Sequence, residues 1–152
     1  MNRREMMSGL AMAVALLAGA YSAAAGDSAE DSQIFVDKTV DYFVANGAEA
    51  TIAAVNAGGG FHQGELYVFI IGPDGTNLAN AADQTNVGKD ARLLRDSDGK
   101  FYGVELMERA TAEGAWVNYK RVNPANGKIE PKMSWVRNID GYVIGCGYYR
   151  SE

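Results

Sequence analysis

The sequence predicts an α+β fold, with helices on one side of an antiparallel sheet. Three observations predict it. Apolar residues recur at helical spacing between Gln33 and Val55. Runs rich in β-forming residues, bounded by glycine and turn residues, take over from Glu65. The last three of these runs are joined by connections short enough to demand antiparallel pairing. The resulting order is helix, hairpin, helix, then three strands.

Phe35, Val36, Val40, Phe43 and Val44 are spaced by three and four, which puts them on one face of a first helix. Asn46-Gly47 is its stop, since glycine takes the left-handed cap conformation at low cost. Ala48 to Val55 is a second short helix, ended by Asn56-Ala57-Gly58-Gly59-Gly60. Glu65 to Ile71 reads as a strand, Pro73-Asp74-Gly75 as a tight turn, and Asn77 to Asn80 as the returning strand. A polar stretch follows from Ala81 to Asp90, then a short helical piece around Arg92 to Arg95 and a turn at Asp96–Lys100. Val104, Leu106, Met107 and Ala110 give helical spacing to Tyr102–Ala112, which Gly114 stops. Ala115–Val122, Lys132–Ile139 and Tyr142–Tyr149 are the final strands, the last two joined at Asp140-Gly141, a tight-turn signal.

Length and composition narrow the function. One domain is the expectation for 152 residues, and 47% hydrophobic with 22% charged residues excludes a disordered acidic chain. A net charge of -5 argues against a nucleic-acid binder, which presents a basic face. Residues 1–25 read as a signal peptide: Arg3-Arg4 is the positive start, Met6 to Ala20 the uncharged apolar run, and Ala23-Ala24-Ala25 the cleavage-like site. A retained anchor is the alternative, but the run is short for a span of about 20 residues. Arg3-Arg4 leaves the general and twin-arginine export routes both open. Cleavage after Ala25 removes Arg3, Arg4 and Glu5, so the mature net charge becomes -6. The mature protein is then expected to be periplasmic or secreted, with a flexible lead-in over 26–32, a domain over 33–152 and no membrane span.

Several motifs with chemical potential fail on inspection. The single histidine, His62, has no second histidine to share a metal. The single cysteine, Cys146, sits in an apolar strand and reads as a small buried residue. Asp96-Ser97-Asp98-Gly99 in a calcium-loop register would put Leu94 where a carboxylate is required. Gly58-Gly59-Gly60 precedes a strand, whereas a dinucleotide loop follows one, and Gly88-Lys89 lacks the glycine of a phosphate loop. Haem attachment needs paired cysteines. No nucleophile, base and orienting group stand at readable spacing, so the expectation is a protein that is not an enzyme and needs no cofactor.

From about Phe35 to Tyr149 the chain resembles the single Cache domains of the second type. The resemblance is carried by Gly64-Glu65-Leu66-Tyr67-Val68-Phe69, Asp74-Gly75, Gly88-Lys89-Asp90 and Asp96-Ser97-Asp98-Gly99-Lys100. It continues through Gly114-Ala115-Trp116-Val117-Asn118-Tyr119, Asn123-Pro124, Gly127-Lys128, Lys132-Met133-Ser134-Trp135-Val136 and Ile144-Gly145-Cys146-Gly147-Tyr148-Tyr149. Their order and spacing over nearly the whole mature chain are the specific feature. The resemblance implies a PAS-like sheet with a long N-terminal helix behind it and a pocket on the other face. It also implies an extracytoplasmic sensor that binds a small organic ligand, often a short carboxylate. In this sequence Leu78-Ala79-Asn80 stands where members often carry histidine, and Trp135 where they often carry tyrosine.

Carboxylate binding asks for a cation or donor pair beside apolar walls. Lys132 is the first candidate, with Tyr67, Trp116 and Tyr119 as walls and donors, Asn80 as a polar end and Trp135 near the implied pocket. Trp116 and Tyr119 are three apart, so strand alternation sends them to opposite faces. The expected function is an exported ligand-binding module that stands alone and passes its signal to a membrane receptor. The alternative is a periplasmic interaction or structural protein with a degenerate pocket, suggested by Asn80 and Trp135.

Overall fold

The computed structural model describes residues 28–150. The export segment expected over 1–25 lies outside them. Helix α1 (Ala29–Asn46) leads into α2 (Ala48–Asn56), and the short β1 (His62–Gln63) precedes β2 (Leu66–Ile71) and β3 (Asn77–Asn80). Helix α3 (Tyr102–Arg109) is followed by β4 (Ala115–Val122), β5 (Ile129–Ile139) and β6 (Tyr142–Tyr149). The α+β class and the long helix behind the sheet are both present.

The sheet is antiparallel throughout, in the order β4–β5–β6–β2. The outer edge of β2 pairs with β1 at Leu66 and Tyr67 and with β3 from Phe69 to Ile71. Residues Asp140 and Gly141 make the two-residue turn between β5 and β6, both at positive φ (53° and 87°), the conformation a tight hairpin of this twist requires.

Each face of the sheet is buried. On one, Leu66, Val68 and Ile70 of β2 meet Val36, Val40 and Phe43 of α1, Val55 of α2, and Ile144 and Cys146 of β6. On the other, Phe69 and Ile71 of β2 join Val117 and Tyr119 of β4, Val136, Val143, and Tyr102 and Leu106 of α3. This two-sided cover explains why β2 reads as a continuous apolar run rather than an alternating one. It also separates the helices: α1 and α2 lie behind the sheet, while α3 lies on the opposite face instead of joining them.

The remaining differences from the expected elements are local. The lead-in expected over 26–32 is helical from Ala29, because the Ser28 Oγ accepts the Asp31 N–H at 3.2 Å and Glu30 and Asp31 supply negative charge to the first turn. Helix α3 stops at Arg109 rather than Ala112, since Thr111 is drawn into a bridge with Arg137. The helical piece around Arg92 is a single tight turn at Ala91–Leu93, capped by Asp90. Strand β5 begins at Ile129, three residues early, despite Pro131. The Pro131 carbonyl accepts from the Arg150 N–H at 2.8 Å, and the reciprocal bond that proline cannot donate falls where the β5–β6 ladder ends.

Candidate functional site

The site forms on the sheet face that carries α3. Strand alternation aims Tyr119 and Arg121 of β4, Lys132 and Ser134 of β5, Tyr149 of β6, and Tyr67 and Phe69 of β2 to that side. The register sets Tyr119 beside Lys132 and Lys132 beside Tyr149, giving a row of three across adjacent strands. Gly147 keeps the next position of β6 clear. A Cβ there would collide with the Ser134 Oγ and the Met133 carbonyl and lie 2.8 Å from the Lys132 Cε.

Lys132 is the central feature. Its side chain is 0% exposed. Among the described residues its Nζ has no hydrogen-bond acceptor. It lies 3.9 Å from the ring centre of Tyr67, 5.3 Å from Tyr149, 5.5 Å from Phe69 and 5.9 Å from Tyr119. The rings thus supply cation–π contact in place of hydrogen bonds. The phenols are in turn bonded to one another or to the sheet: Tyr67 Oη to Tyr149 Oη at 2.9 Å, and Tyr119 Oη to Ser134 Oγ at 2.9 Å.

Arg121 closes the site toward solvent. Its Nε donates to Tyr67 Oη at 3.2 Å and its Nη1 to Tyr102 Oη at 2.8 Å. Its Nη2 lies 3.6 Å from the Asp83 carboxylate. The Asn86 amide faces the guanidinium, and with its oxygen turned inward accepts from Nη2 at 2.9 Å and Nη1 at 3.2 Å. Tyr102 stacks flat on Tyr119, with ring centres 4.5 Å apart. Tyr67, Asn86, Tyr102 and Arg121 therefore form a wall between two spaces. Behind it, against Lys132, is a chamber of about 20 Å³. In front is an open cleft of about 590 Å³.

The electrostatics follow from this arrangement. Burial alone would raise the Tyr67 phenol, but Lys132 and Arg121 outweigh it and bring the group down to about 8. Burial raises Tyr149, and its bond to Tyr67 pushes the same way. Burial would lower Lys132, yet the Tyr119 and Tyr67 phenols hold it above the ordinary lysine value. Arg121 is likewise opposed by burial and held charged by Tyr67 and Tyr102. The chamber lining holds two cations and no carboxylate.

Four of the six residues expected at the pocket line the chamber: Tyr67, Asn80, Tyr119 and Lys132. The Asn80 Oδ1 is engaged in the turn beyond β3, accepting from the N–H groups of Ala82 (3.0 Å) and Asp83 (2.8 Å). Trp116 and Trp135 do not line it. They pair with each other behind the sheet, 5.1 Å apart, and Trp116 meets Tyr148 edge-on at 6.0 Å. Residue parity separates them from the pocket, since Trp135 alternates with Ser134 and Val136. Sequence reading missed Arg121, Tyr102, Tyr149 and Asn86. Arg121 was accessible by alternation, two residues after Tyr119; Tyr102, Tyr149 and Asn86 depend on tertiary placement.

The motifs set aside on sequence grounds occupy structural roles. The His62 Nε2 lies 3.0 Å from the Gly64 carbonyl oxygen. The Cys146 thiol is buried, which pushes it up to about 12. Asp96 accepts from the N–H groups of Asp98 and Lys100 as a turn. Among the described residues no cluster of histidine, cysteine and carboxylate side chains is grouped to hold a metal.

The family description "Single Cache domain 2" matches residues 41–152. A sensor histidine kinase, MctS of Rhizobium johnstonii, is 33% identical over 88 residues, covering 57% of this chain and 19% of the kinase. The match thus spans about a fifth of that relative's length. Among solved structures, a methyl-accepting chemotaxis protein from Vibrio parahaemolyticus superimposes with a TM-score of 0.67 at 16% identity, covering 89% of this chain and 92% of that one. A Cache chemosensory domain that recognises carboxylic acids gives 0.56 at 16% identity, covering 77% and 84%.

Proposed function

Because the chain belongs to the Single Cache domain 2 family, we propose that it binds a short organic acid in the chamber beneath Lys132. Cache domains are extracytoplasmic sensor domains, like those of chemotaxis receptors and sensor histidine kinases. The observation that carries the reading is the Lys132 ammonium, fully buried and without an acceptor among the described residues. An unpaired buried charge is costly. A carboxylate would supply the missing oxygens, with the Tyr119 hydroxyl as a further donor. Recognition then proceeds without chemistry.

The chamber of about 20 Å³ holds roughly one water. A carboxylic acid therefore enters only when the wall of Arg121, Tyr102 and Asn86 parts. The ligand's free energy of binding drives that rearrangement, and the liganded form is the signalling form. In this reading residues 1–25 direct export, and a membrane receptor is the partner that reads the change. No described helix is long and apolar enough to cross a membrane.

The test is thermal unfolding of the purified protein against acetate, propionate, lactate and pyruvate. A saturable rise in the melting midpoint with this acid class, absent in Lys132→Met, supports the proposal. The small chamber favours a second reading, an interaction module whose pocket stays shut. No shift with any of the acids, together with a protein partner captured equally by wild type and Lys132→Met, moves the assignment there.

A further inference from the structure

We propose that the open cleft in front of Arg121 is a second binding site, one that takes a carboxylate bearing an apolar chain. It lies outside the chamber and does not use Lys132. At about 590 Å³ it falls in the size range of small-molecule sites, and it is open to solvent. Val122, Pro124 and Ile129 form one lip. Val122 and Ile129 are cross-strand partners, 51% and 59% exposed, so an apolar pair faces solvent at the mouth. A hydrocarbon chain laid against them would remove that surface from water.

The floor supplies the charge. Arg121 is only 17% exposed, and its one carboxylate partner, Asp83, stands 3.6 Å away and is 42% exposed. Arg95 and Lys120 add positive charge to the lining. Lys120 reaches Asp98 at 3.4 Å. The other acidic group, Asp96, is already committed to the N–H groups of Asp98, Lys100 and Lys120. An entering carboxylate thus meets three cations against two carboxylates in the lining, and reaches the Nη edge of Arg121 by displacing Asp83 and Asn86, while Nε stays on Tyr67. The rings of Tyr67 and Tyr102 complete the floor.

Calorimetric titration with acetate, butanoate, hexanoate and octanoate tests the site. Affinity is expected to tighten by up to about fourfold for each methylene that becomes buried. The dependence on chain length should flatten in Val122→Ser/Ile129→Ser, two side chains exposed enough for the fold to survive the change. Arg121→Gln should weaken hexanoate at least tenfold, and Lys132→Met should leave hexanoate binding in place. A series without chain-length dependence, or one unchanged in the double serine variant, overturns the proposal. Loss of hexanoate binding in Lys132→Met overturns it too, by placing the carboxylate in the chamber. Acetate binding that needs Lys132 beside a flat series would remove this site and leave the chamber assignment standing.

Discussion

Lys132 and Tyr67 sit on strands separated by β6, yet the ammonium of one lies 3.9 Å from the ring centre of the other. They meet because Gly147 stands on the strand between them and leaves the lysine stem a path. The buried cation is thus a product of three strands and one absent side chain. Its partner phenol carries the consequence, since a positive charge on each side favours the phenolate.

A first prediction concerns pH. Tyr67 titrates near 8 in the fold and near 10 when unfolded. Between those values the unfolded chain holds the proton more tightly, so this residue's contribution to stability grows as pH rises through the window and is lost as pH falls through 8. Cys146 acts oppositely above about 9, because its folded value lies near 12. Urea unfolding should therefore show stability rising from pH 7.5 to about 9. Tyrosinate absorbance in the folded protein should appear near pH 8 and be absent there in Tyr67→Phe.

A second prediction concerns Lys132 itself. Lys132→Met keeps the stem volume and removes a buried charge with no hydrogen bond. Such replacements are neutral or stabilising by about 1–4 kcal/mol. Chemical denaturation at neutral pH should show the variant at least as stable as the wild type, and its Tyr67 should titrate higher.

Gly147→Ala should behave in the opposite way. The new methyl meets the Met133 carbonyl, which belongs to the β5 backbone and cannot step aside. Overpacking of this kind costs about 1–3 kcal/mol. The loss should be visible as a lower urea midpoint with an unchanged slope, together with a weaker response to carboxylic acids.

Trp135→Phe separates the two faces. The residue packs against Gly114 and Trp116 behind the sheet. The substitution should lower stability by about 1 kcal/mol and leave the shift produced by any bound acid unchanged. A changed ligand response would place Trp135 in communication with the chamber.

The elements were legible where one local signal decided them. Gly47 ended the first helix, Asp140-Gly141 closed the last hairpin, and short connections between β-forming runs gave the meander. Boundaries slipped where a tertiary partner intervened, as when Thr111 left α3 to bridge Arg137. Within the site, Lys132, Tyr67 and Tyr119 were legible because the residue types fit the chemistry and the strand parity was correct. Arg121 obeyed the same parity, two residues after Tyr119, and was not singled out. Tyr102 and Asn86 reach the wall from α3 and from a turn near it, and no sequence period relates them to β4. Trp135 drew attention as a substitution for tyrosine, but its neighbours in β5 put it on the far face.

The unbroken pairing of β4 with β5 and of β5 with β6 has a mechanical consequence. Those strands present Lys132, Ser134 and Tyr149 on one side, while the other side carries Arg137, whose Nη1 holds Asp37 of α1 at 2.9 Å. Neither ladder contains a bulge, so the three strands are paired without interruption, and the Arg137–Asp37 contact ties α1 to them. The pairing of β2 with β3 is less regular, with a register shift between Ile70 and Ile71. An outward push from the chamber would therefore meet the weakest backbone pairing at the β3 margin and the strongest along β4, β5 and β6.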